Sequence, residues 1–175
     1  LEWKQKTIVD LGASTGGFTD CLLQNGATFV YALDVGKDQL VDKLRNHPCV
    51  DCREEVNCRY LERDDFDKDI DLVVMDVSFI SCTKLMESIS KVLDVNKEAI
   101  ILIKPQFEVG KQHLSKHGIV TNKNEVIKAV QMCLDTAKLY HLMPQQLVLS
   151  TVKGKEGNQE FLVHLVKDGK SKDFD

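Results

Sequence analysis

Short apolar runs of strand length alternate along the chain with stretches in which apolar residues recur every three or four positions. The second pattern is the helical period, and Asn124–Tyr140 shows it most clearly. Strands are predicted at Thr7–Leu11, Phe29–Asp34, Val50–Glu54, Asp71–Asp76, Ile100–Lys104, Gln146–Val152 and Glu160–Lys167. Helices are predicted at Gly17–Asn25, Gln39–Asn46, Cys82–Leu93 and Asn124–Tyr140. Strands alternating with helices are typical of a parallel α/β sheet.

The last two predicted strands have no long helix between them. A glycine-rich, charged connection over 152–158 joins them, as expected for an antiparallel pair. Five parallel strands followed by such a pair predict a Rossmann-like class I methyltransferase fold: a seven-stranded, mostly parallel sheet with an antiparallel last strand and helices on both faces. A symmetric dinucleotide-binding domain would instead contain a sixth strand–helix unit.

Composition narrows the class of protein. The 175 residues suit one domain, predicted over 1–167 with a polar tail at 168–175. A formal charge of −4 provides no general basic field, so nucleic-acid binding requires a local patch or another domain. The longest apolar stretches, Leu72–Met75 and Ala99–Ile103, are too short to cross a bilayer, and no signal peptide opens the chain. These features predict a cytoplasmic protein that does not enter membranes.

Six cysteines raise the question of a metal site. His47, Cys49, Cys52 and Cys58 offer four zinc ligands, but the second C-x-x-C pair that normally completes such a site is absent. We therefore predict no metal and reduced, structural cysteines.

A glycine-bearing segment, DLGASTGGFTD (Asp10–Asp20), follows the first apolar run. Gly12, Gly16 and Gly17 lack a Cβ, which lets backbone approach a ligand closely. Their spacing matches neither G-x-G-x-x-G nor a Walker loop, and no Lys-Ser/Thr follows. Such a loop suits a nucleoside without phosphates, and S-adenosyl-L-methionine is the leading candidate. The alternative is a tight strand-to-helix turn that binds nothing.

Several charged residues stand at strand ends. Asp34 ends the second strand, where an acid can accept both hydroxyls of a ribose, although this does not separate S-adenosylmethionine from NAD. Asp76 and Lys104 end the fourth and fifth strands, and a lysine beside a carboxylate in a partly dry cleft can act on a hydroxyl proton. Glu160 begins the antiparallel last strand and should therefore join the same rim. The alternatives are a solvated acid at Asp34 and, for Asp76 or Lys104 taken alone, a surface salt bridge.

Other polar residues near this rim are harder to assign. The stretch after Lys104 contains basic residues and two glycines, and it either closes over a substrate, contacts phosphates or forms a solvated loop. These residues are Lys111, His113, Lys116 and His117, and the same choice applies to Lys153 and Lys155. Asp20 and Glu108 are interpreted as helix or rim acids.

With these residues identified, the chain resembles the hemolysin-like (TlyA-type) branch of the FtsJ-like RNA ribose methyltransferases. The matching segments are Asp10–Asp20, Ala32–Leu40 (ALDVGKDQL), Leu72–Ser81 (LVVMDVSFIS), Ile103–Gly110 (IKPQFEVG) and Gly157–Phe161 (GNQEF). The resemblance implies methyl transfer from S-adenosyl-L-methionine to a ribose 2′-hydroxyl, with ribosomal RNA as the partner. It also implies an S4-type RNA-binding domain upstream of this chain.

The same resemblance assigns roles through a Lys-Asp-Lys-Glu set. Asp76, Lys104 and Glu160 match its last three members, whereas the first lysine lies on an upstream helix that this chain does not contain. Lys104 would handle the hydroxyl proton, Asp76 would orient Lys104, and Glu160 would support the site. The predicted cofactor contacts are Gly12, Ala13, Ser14, Thr15, Gly16, Gly17, Phe18, Asp34, Val35, Asn57 and Asp76.

Within that set, the Gly12–Gly17 backbone would hold the methionine part, Asp34 the ribose and Asn57 the adenine edge. Three rival functions stay open: an NAD-dependent oxidoreductase, a membrane-active hemolysin, and a cofactor- and RNA-binding module without catalysis. The sequence identifies neither the modified nucleotide nor the oligomeric state, and it leaves open whether this part alone is active.

Overall fold

The computed structural model describes residues 2–151 and 157–169. The described strands are β1 (Thr7–Leu11), β2 (Phe29–Leu33), β3 (Val50–Arg53), β4 (Leu72–Met75), β5 (Glu98–Ile103), β6 (Leu142–Leu149) and β7 (Phe161–Lys167). The described α-helices are α1 (Gly17–Gln24), α2 (Asp42–Arg45), α3 (Met86–Val92) and α4 (Lys123–Leu139). Short 3₁₀ turns lie at Cys58–Tyr60, Arg63–Asp65, Cys82–Leu85, Pro105–Phe107 and Lys111–His113.

All seven described strands form one sheet in the order β3-β2-β1-β4-β5-β7-β6. The five strands from β3 to β5 pair in parallel, and β7 runs antiparallel between β5 and β6. The predicted mostly parallel sheet with an antiparallel last strand is therefore confirmed. The carboxyl ends of the parallel strands share one edge of this sheet, and the start of β7 lies beside the end of β5, where Ile103 pairs with Phe161.

Burial alternates along the strands, which divides the core between two faces. Val9, Val73 and Ile101 pack on the face that α3 and α4 cover. Ile8, Leu72 and Val74 pack on the opposite face with Leu22 of α1. Because successive strand residues point to opposite faces, both layers are fixed by the same short apolar runs. At the carboxyl ends of β2, β4 and β5, the apolar runs are followed directly by the polar residues Asp34, Asp76 and Lys104.

Three elements differ from their predicted bounds by more than two residues at one or both ends. Strand β6 begins at Leu142 and includes Pro144, beside which the pairing with β7 shifts register. Proline is tolerated on an edge strand at such an irregularity. Because proline normally argues against a strand, the sequence did not predict that β6 begins before Pro144. The predicted end of that strand, Val152, lies outside the described residues.

The other two differences concern helices. Helix α2 is restricted to Asp42–Arg45, because the Gln39 and Leu40 amides donate to the Glu54 carboxylate. The predicted helix over Cys82–Leu93 begins as a 3₁₀ turn and becomes α-helical at Met86.

Candidate functional site

The glycine loop lies between the ends of β1 and β4. Gly12 has φ +82°, and its amide and that of Ala13 both donate to the Leu33 carbonyl at 2.9 Å. A Cβ on Gly12 would stand 2.2 Å from the Asp76 carbonyl oxygen, so only glycine allows this approach to β4. Gly17, in contrast, has no neighbouring atom within 4 Å of its Cβ position. The loop is therefore tightly packed at its start and open where α1 begins.

Asp34 connects this loop to the segment after β2. Its Oδ2 accepts a hydrogen bond from the Ser14 amide at 2.8 Å, and its Oδ1 accepts one from the Gly36 amide at 2.8 Å. A carboxylate has about four acceptor positions, so each oxygen can still accept a second donor. The geometry leaves Asp34 able to bind a pair of ribose hydroxyls while it holds the loop in shape.

Asp10 was not among the predicted site residues. It lies on β1, is 1% exposed and accepts a hydrogen bond from the Thr19 hydroxyl at 2.7 Å. Burial raises its pKa to about 6; the Thr19 hydrogen bond opposes this shift, and the nearby Asp76 and Asp34 carboxylates add to it. The signal was present in the sequence, since an aspartate inside an apolar strand is rarely buried without a function.

The remaining predicted cofactor contacts spread around this crevice. Thr15 accepts a hydrogen bond from the Val41 amide at 3.2 Å, and the Phe18 ring lies 6.4 Å from that of Trp3. Val35 is exposed beside Asp34. Asn57 is exposed as well, but its side-chain oxygen accepts the Arg59 amide at 3.1 Å, so part of its hydrogen-bonding capacity is used locally.

The crevice suits S-adenosyl-L-methionine in charge and has room beside Gly17. No neighbouring atom lies within 4 Å of the Gly17 Cβ position, and the Asp34 and Asp76 carboxylates are near enough to Asp10 to raise its pKa. S-adenosylmethionine carries a sulfonium and an ammonium cation, which three neighbouring carboxylates attract. Ser14 through Gly17 and Asp34 are the residues able to hold its two ends.

Asp76 and Lys104 meet at the ends of β4 and β5, as their strand positions predicted. Lys104 Nζ lies 2.5 Å from Asp76 Oδ1 and donates a hydrogen bond to Ser78 Oγ at 3.0 Å. The Lys104 side chain is 13% exposed, so its amino group is held in a partly dry environment. Pro105 follows directly and begins a 3₁₀ turn, which takes the chain out of the sheet and leaves Lys104 at its edge.

Glu160 stands at the same rim but bonds to a different residue. It is 5% exposed, and its Oε2 accepts a hydrogen bond from Gln106 Nε2 at 2.7 Å. Among the described residues it forms no ion pair with Lys104. The Gln106 side-chain oxygen is buried and has no hydrogen-bond partner in the described structure. A buried acceptor without a partner lowers the stability of the fold, so its presence here suggests a role in the site. Sequence analysis did not identify Gln106.

A cavity of about 780 Å³ adjoins Lys104 and Glu160. Phe79 is 91% exposed with φ +65°, and its ring centroid lies 5.0 Å from that of Phe107. Both rings line the cavity, so an aromatic surface stands beside the Lys104 amino group. Glu108 joins the two segments that carry these rings, because it accepts hydrogen bonds from the Ser81 hydroxyl and, at 2.8 Å, from the Cys82 amide.

The basic residues after Lys104 divide into two groups. Lys111 and His117 line the cavity, whereas His113 lies 3.4 Å from Glu125 at the start of α4. Lys153 and Lys155 lie outside the described residues.

Among the residues considered as zinc ligands, His47 accepts the Cys49 amide at 3.0 Å. The close pair in the described core is instead Cys82 and Cys133, whose sulfur atoms are 3.2 Å apart.

The family model described as FtsJ-like methyltransferase matches residues 1–167. This chain belongs to the FtsJ-like methyltransferase family. It is 40% identical over 166 residues to Hemolysin A of Brachyspira hyodysenteriae, covering 93% of this chain and 68% of that protein. It is 37% identical over 170 residues to the 23S rRNA (cytidine-2′-O)-methyltransferase TlyA of Campylobacter jejuni, covering 96% of this chain and 65% of that protein.

A solved structure from Streptococcus thermophilus that carries the name hemolysin superposes with a TM-score of 0.92 at 40% identity. The match covers 97% of this chain and 62% of that one. The FtsJ-like chain therefore spans about three fifths to two thirds of the length of its first relatives.

Family membership confirms the resemblance found in the sequence, the methyltransferase fold class and S-adenosyl-L-methionine as the cofactor. It disfavours the NAD-dependent oxidoreductase. Within the described part of this family member, no helix combines the length and apolar character that crossing a bilayer requires.

Proposed function

We propose that this FtsJ-like chain is the catalytic domain of an RNA methyltransferase that modifies a ribose 2′-hydroxyl, with ribosomal RNA as substrate. The observation that carries the proposal is the Lys104–Asp76 contact of 2.5 Å, which stands between the glycine loop and the 780 Å³ cavity. The Campylobacter jejuni relative is named a 23S rRNA (cytidine-2′-O)-methyltransferase, which supports both the reaction and the substrate class.

S-adenosyl-L-methionine supplies an activated methyl group on a sulfonium centre. The chain must then align a ribose hydroxyl with that methyl group and receive one proton. When Lys104 is the neutral amine, its two N–H groups can bond Asp76 and Ser78, which leaves the lone pair of Nζ free to take the proton of a ribose hydroxyl in the cavity. Lys104 is thus assigned to hold and accept the hydroxyl proton, and Asp76 to orient Lys104.

We assign Glu160 a supporting role at this centre. Its carboxylate is buried at the cavity wall, and among the described residues its one hydrogen-bond donor is Gln106, at 2.7 Å. A buried carboxylate with one neutral donor favours a further cationic partner. The first lysine of the family set, expected on an upstream helix, would provide that partner.

Features of the cavity agree with a nucleotide substrate. The exposed Phe79 ring offers a surface on which a base can stack, worth about 1–3 kcal/mol per base. Lys111 and His117 line the same cavity and can donate hydrogen bonds to phosphate oxygens. Because the chain carries a formal charge of −4, this contact is local, and the predicted upstream S4-type domain would provide further RNA affinity.

The domain boundaries and the cellular location follow the same proposal. Residues 1–167, which the family model matches, form the methyltransferase domain, and 168–175 form a polar tail. Modification of ribosomal RNA places the protein in the cytoplasm.

The proposal is tested with the protein at its full native length, ribosomal RNA and labelled S-adenosyl-L-methionine. We expect labelled 2′-O-methyl nucleosides in the digested RNA. Lys104→Ala should lower turnover by at least about 100-fold, the usual effect of losing a proton-accepting group, while calorimetry gives an unchanged cofactor affinity. Lys91→Ala is the matched control, because the described ion pairs of Lys91 are with Glu62 and Glu87 on the surface.

Three outcomes would contradict the proposal. A methylated base in place of a methylated ribose would overturn the reaction assigned here. Saturable cofactor and RNA binding without transfer would favour the non-catalytic module. Leakage from liposomes treated with the protein would favour the membrane-active hemolysin.

A further inference from the structure

The cavity has one wall formed by a loop, residues 110–120, which we call the cavity loop. An antiparallel bridge joins Leu114 to Val120. Inside it, the Ser115 amide donates to the Ile119 carbonyl at 2.8 Å and the Gly118 amide donates to the Ser115 carbonyl at 2.9 Å. These bonds close residues 114–120 into a compact turn, so its tip moves as one unit.

Asn158 attaches this turn to the sheet. It is 5% exposed; its side-chain oxygen accepts the Val120 amide at 3.0 Å, and its side-chain nitrogen donates to the Gly118 carbonyl at 2.9 Å. In the part of the chain that is described, no other hydrogen bond joins residues 114–120 to an element outside the cavity loop. Asn158 also lies two residues before Glu160, so one short segment carries both the loop attachment and a site carboxylate.

The cavity loop concentrates basic side chains on an acidic protein. Lys111 and His117 line the cavity, and Lys116 is exposed at the tip of the turn. Lys104 lines the same cavity. A strand of RNA whose ribose reaches Lys104 would therefore pass its backbone along the cavity loop.

We propose that Asn158 is a positioning residue for RNA binding: it fixes the cavity loop so that Lys111, Lys116 and His117 contact phosphates next to the target ribose. This inference rests on the proposed function. A purely structural role, in which Asn158 only caps the start of β7, would affect stability and turnover but not the response of RNA binding to salt.

The experiment compares Asn158→Ala with Asn122→Ala in the full-length protein. Asn122 is a matched control because it also bonds a backbone amide, that of Asn124 at 2.9 Å, but does so at the start of α4 and does not line the cavity. For Asn158→Ala we expect the KM for ribosomal RNA to rise about tenfold, with kcat within about twofold and cofactor affinity unchanged. Asn122→Ala should lose stability but keep the wild-type KM.

The salt dependence of RNA affinity distinguishes the loss of a phosphate contact from a change in the shape of the cavity. Each lost phosphate contact reduces the slope of log affinity against log salt by about 1. The slope for Asn158→Ala should therefore be shallower than that of the wild type by about 1 or more. An unchanged slope with a raised KM would overturn the phosphate assignment.

A double-mutant cycle tests whether Asn158 acts through the basic side chains. Lys111 and Lys116 are exposed, so Lys111→Ala/Lys116→Ala should fold normally and should itself raise the KM. Adding Asn158→Ala to that variant should have little further effect, because both changes remove the same contacts. Fully additive effects, or a fall in kcat alone, would mean that Asn158 acts through Glu160 and would overturn the inference.

Asn158→Asp is measured beside Asn158→Ala and keeps the test valid if the alanine variant does not fold. The aspartate retains an acceptor for the Val120 amide but cannot donate to the Gly118 carbonyl, so the KM should again rise. A wild-type KM in this variant would overturn the inference. Absence of RNA methylation by the wild-type protein would instead refute the proposed function itself.

Discussion

Replacing Gly12 by alanine tests the arrangement on which the whole crevice depends. The new Cβ would stand 2.2 Å from the Asp76 carbonyl oxygen, so the backbone of one strand end must move by about 1 Å to restore contact. Gly12 also has φ +82°, a conformation that costs an L-residue about 1–2 kcal/mol. Overpacking against a backbone atom that cannot rotate away adds about 1–3 kcal/mol.

The two terms together predict that Gly12→Ala lowers the free energy of unfolding by about 2–5 kcal/mol. For a protein of this size the midpoint of thermal unfolding should fall by about 5–20 °C. The rate of methyl transfer should fall by more than the loss of folded protein explains. The reason is that the displaced carbonyl belongs to Asp76, whose side chain holds Lys104.

Gly17→Ala is the matched control for this prediction. No atom lies within 4 Å of the new Cβ, and alanine is the better helix former at the start of α1. Stability should stay equal or rise slightly, while calorimetry shows weaker binding of S-adenosyl-L-methionine, because the methyl group enters the space assigned to the cofactor. A thermal midpoint for Gly12→Ala within about 1 °C of the wild type would refute the close approach. Wild-type cofactor affinity in Gly17→Ala would refute the assignment of the loop.

Three further changes probe single side chains. Because burial raises the pKa of Asp10 from 3.8 to about 6, the stability that its neutral form provides is present below pH 4 and lost as pH rises through 6. Asp10→Asn should therefore exceed the wild type by up to about 3 kcal/mol at pH 7 and lose that advantage by pH 4, which denaturant titrations at both pH values would check. Gln106→Ala should lower kcat about tenfold, because it removes the hydrogen bond that Gln106 donates to Glu160. The free energy of unfolding should fall by less than about 1 kcal/mol, because the unpartnered Gln106 carbonyl is removed at the same time. Unchanged turnover would contradict this prediction. Phe79→Ala should raise the KM for RNA about tenfold with an unchanged thermal midpoint, because the ring is 91% exposed, and an unaffected KM would exclude base stacking there.

The parts of the site that the sequence predicted are those fixed by local pattern. Asp34, Asp76 and Lys104 each follow an apolar run, so the period of the strands was sufficient to place them at one edge. The glycine spacing likewise identified a loop that Gly12 indeed brings against β4. In each of these cases the determining contacts lie within one strand–turn unit or between neighbouring parallel strands.

The parts that were missed depend on contacts between distant positions. Gln106 bonds Glu160 across 54 residues, and Asn158 bonds Val120 across 38. Neither pair leaves a periodic trace in the sequence, because a single side-chain hydrogen bond requires no pattern around it. The early start of β6 was hidden for a different reason: Pro144 is a residue that normally interrupts a strand.

The two ends of the sheet differ in the polar and aromatic groups that they leave without a stabilising partner. At the amino end, Lys6 pairs with Glu98 at 3.1 Å and Lys97 with Asp71 at 2.8 Å, so these four charges are paired. At the carboxyl end, among the described residues, Asp10 is buried without a cationic partner, the Gln106 side-chain carbonyl has no hydrogen-bonding partner, and Phe79 is exposed with positive φ. Each of these features lowers stability, and their occurrence together in the crevice and the adjoining cavity is typical of a binding site rather than of a region that only stabilises the fold. Under the proposed function, the acidic crevice and the adjoining aromatic cavity would have complementary roles, one toward the cationic methyl donor and the other toward the nucleotide that receives the methyl group.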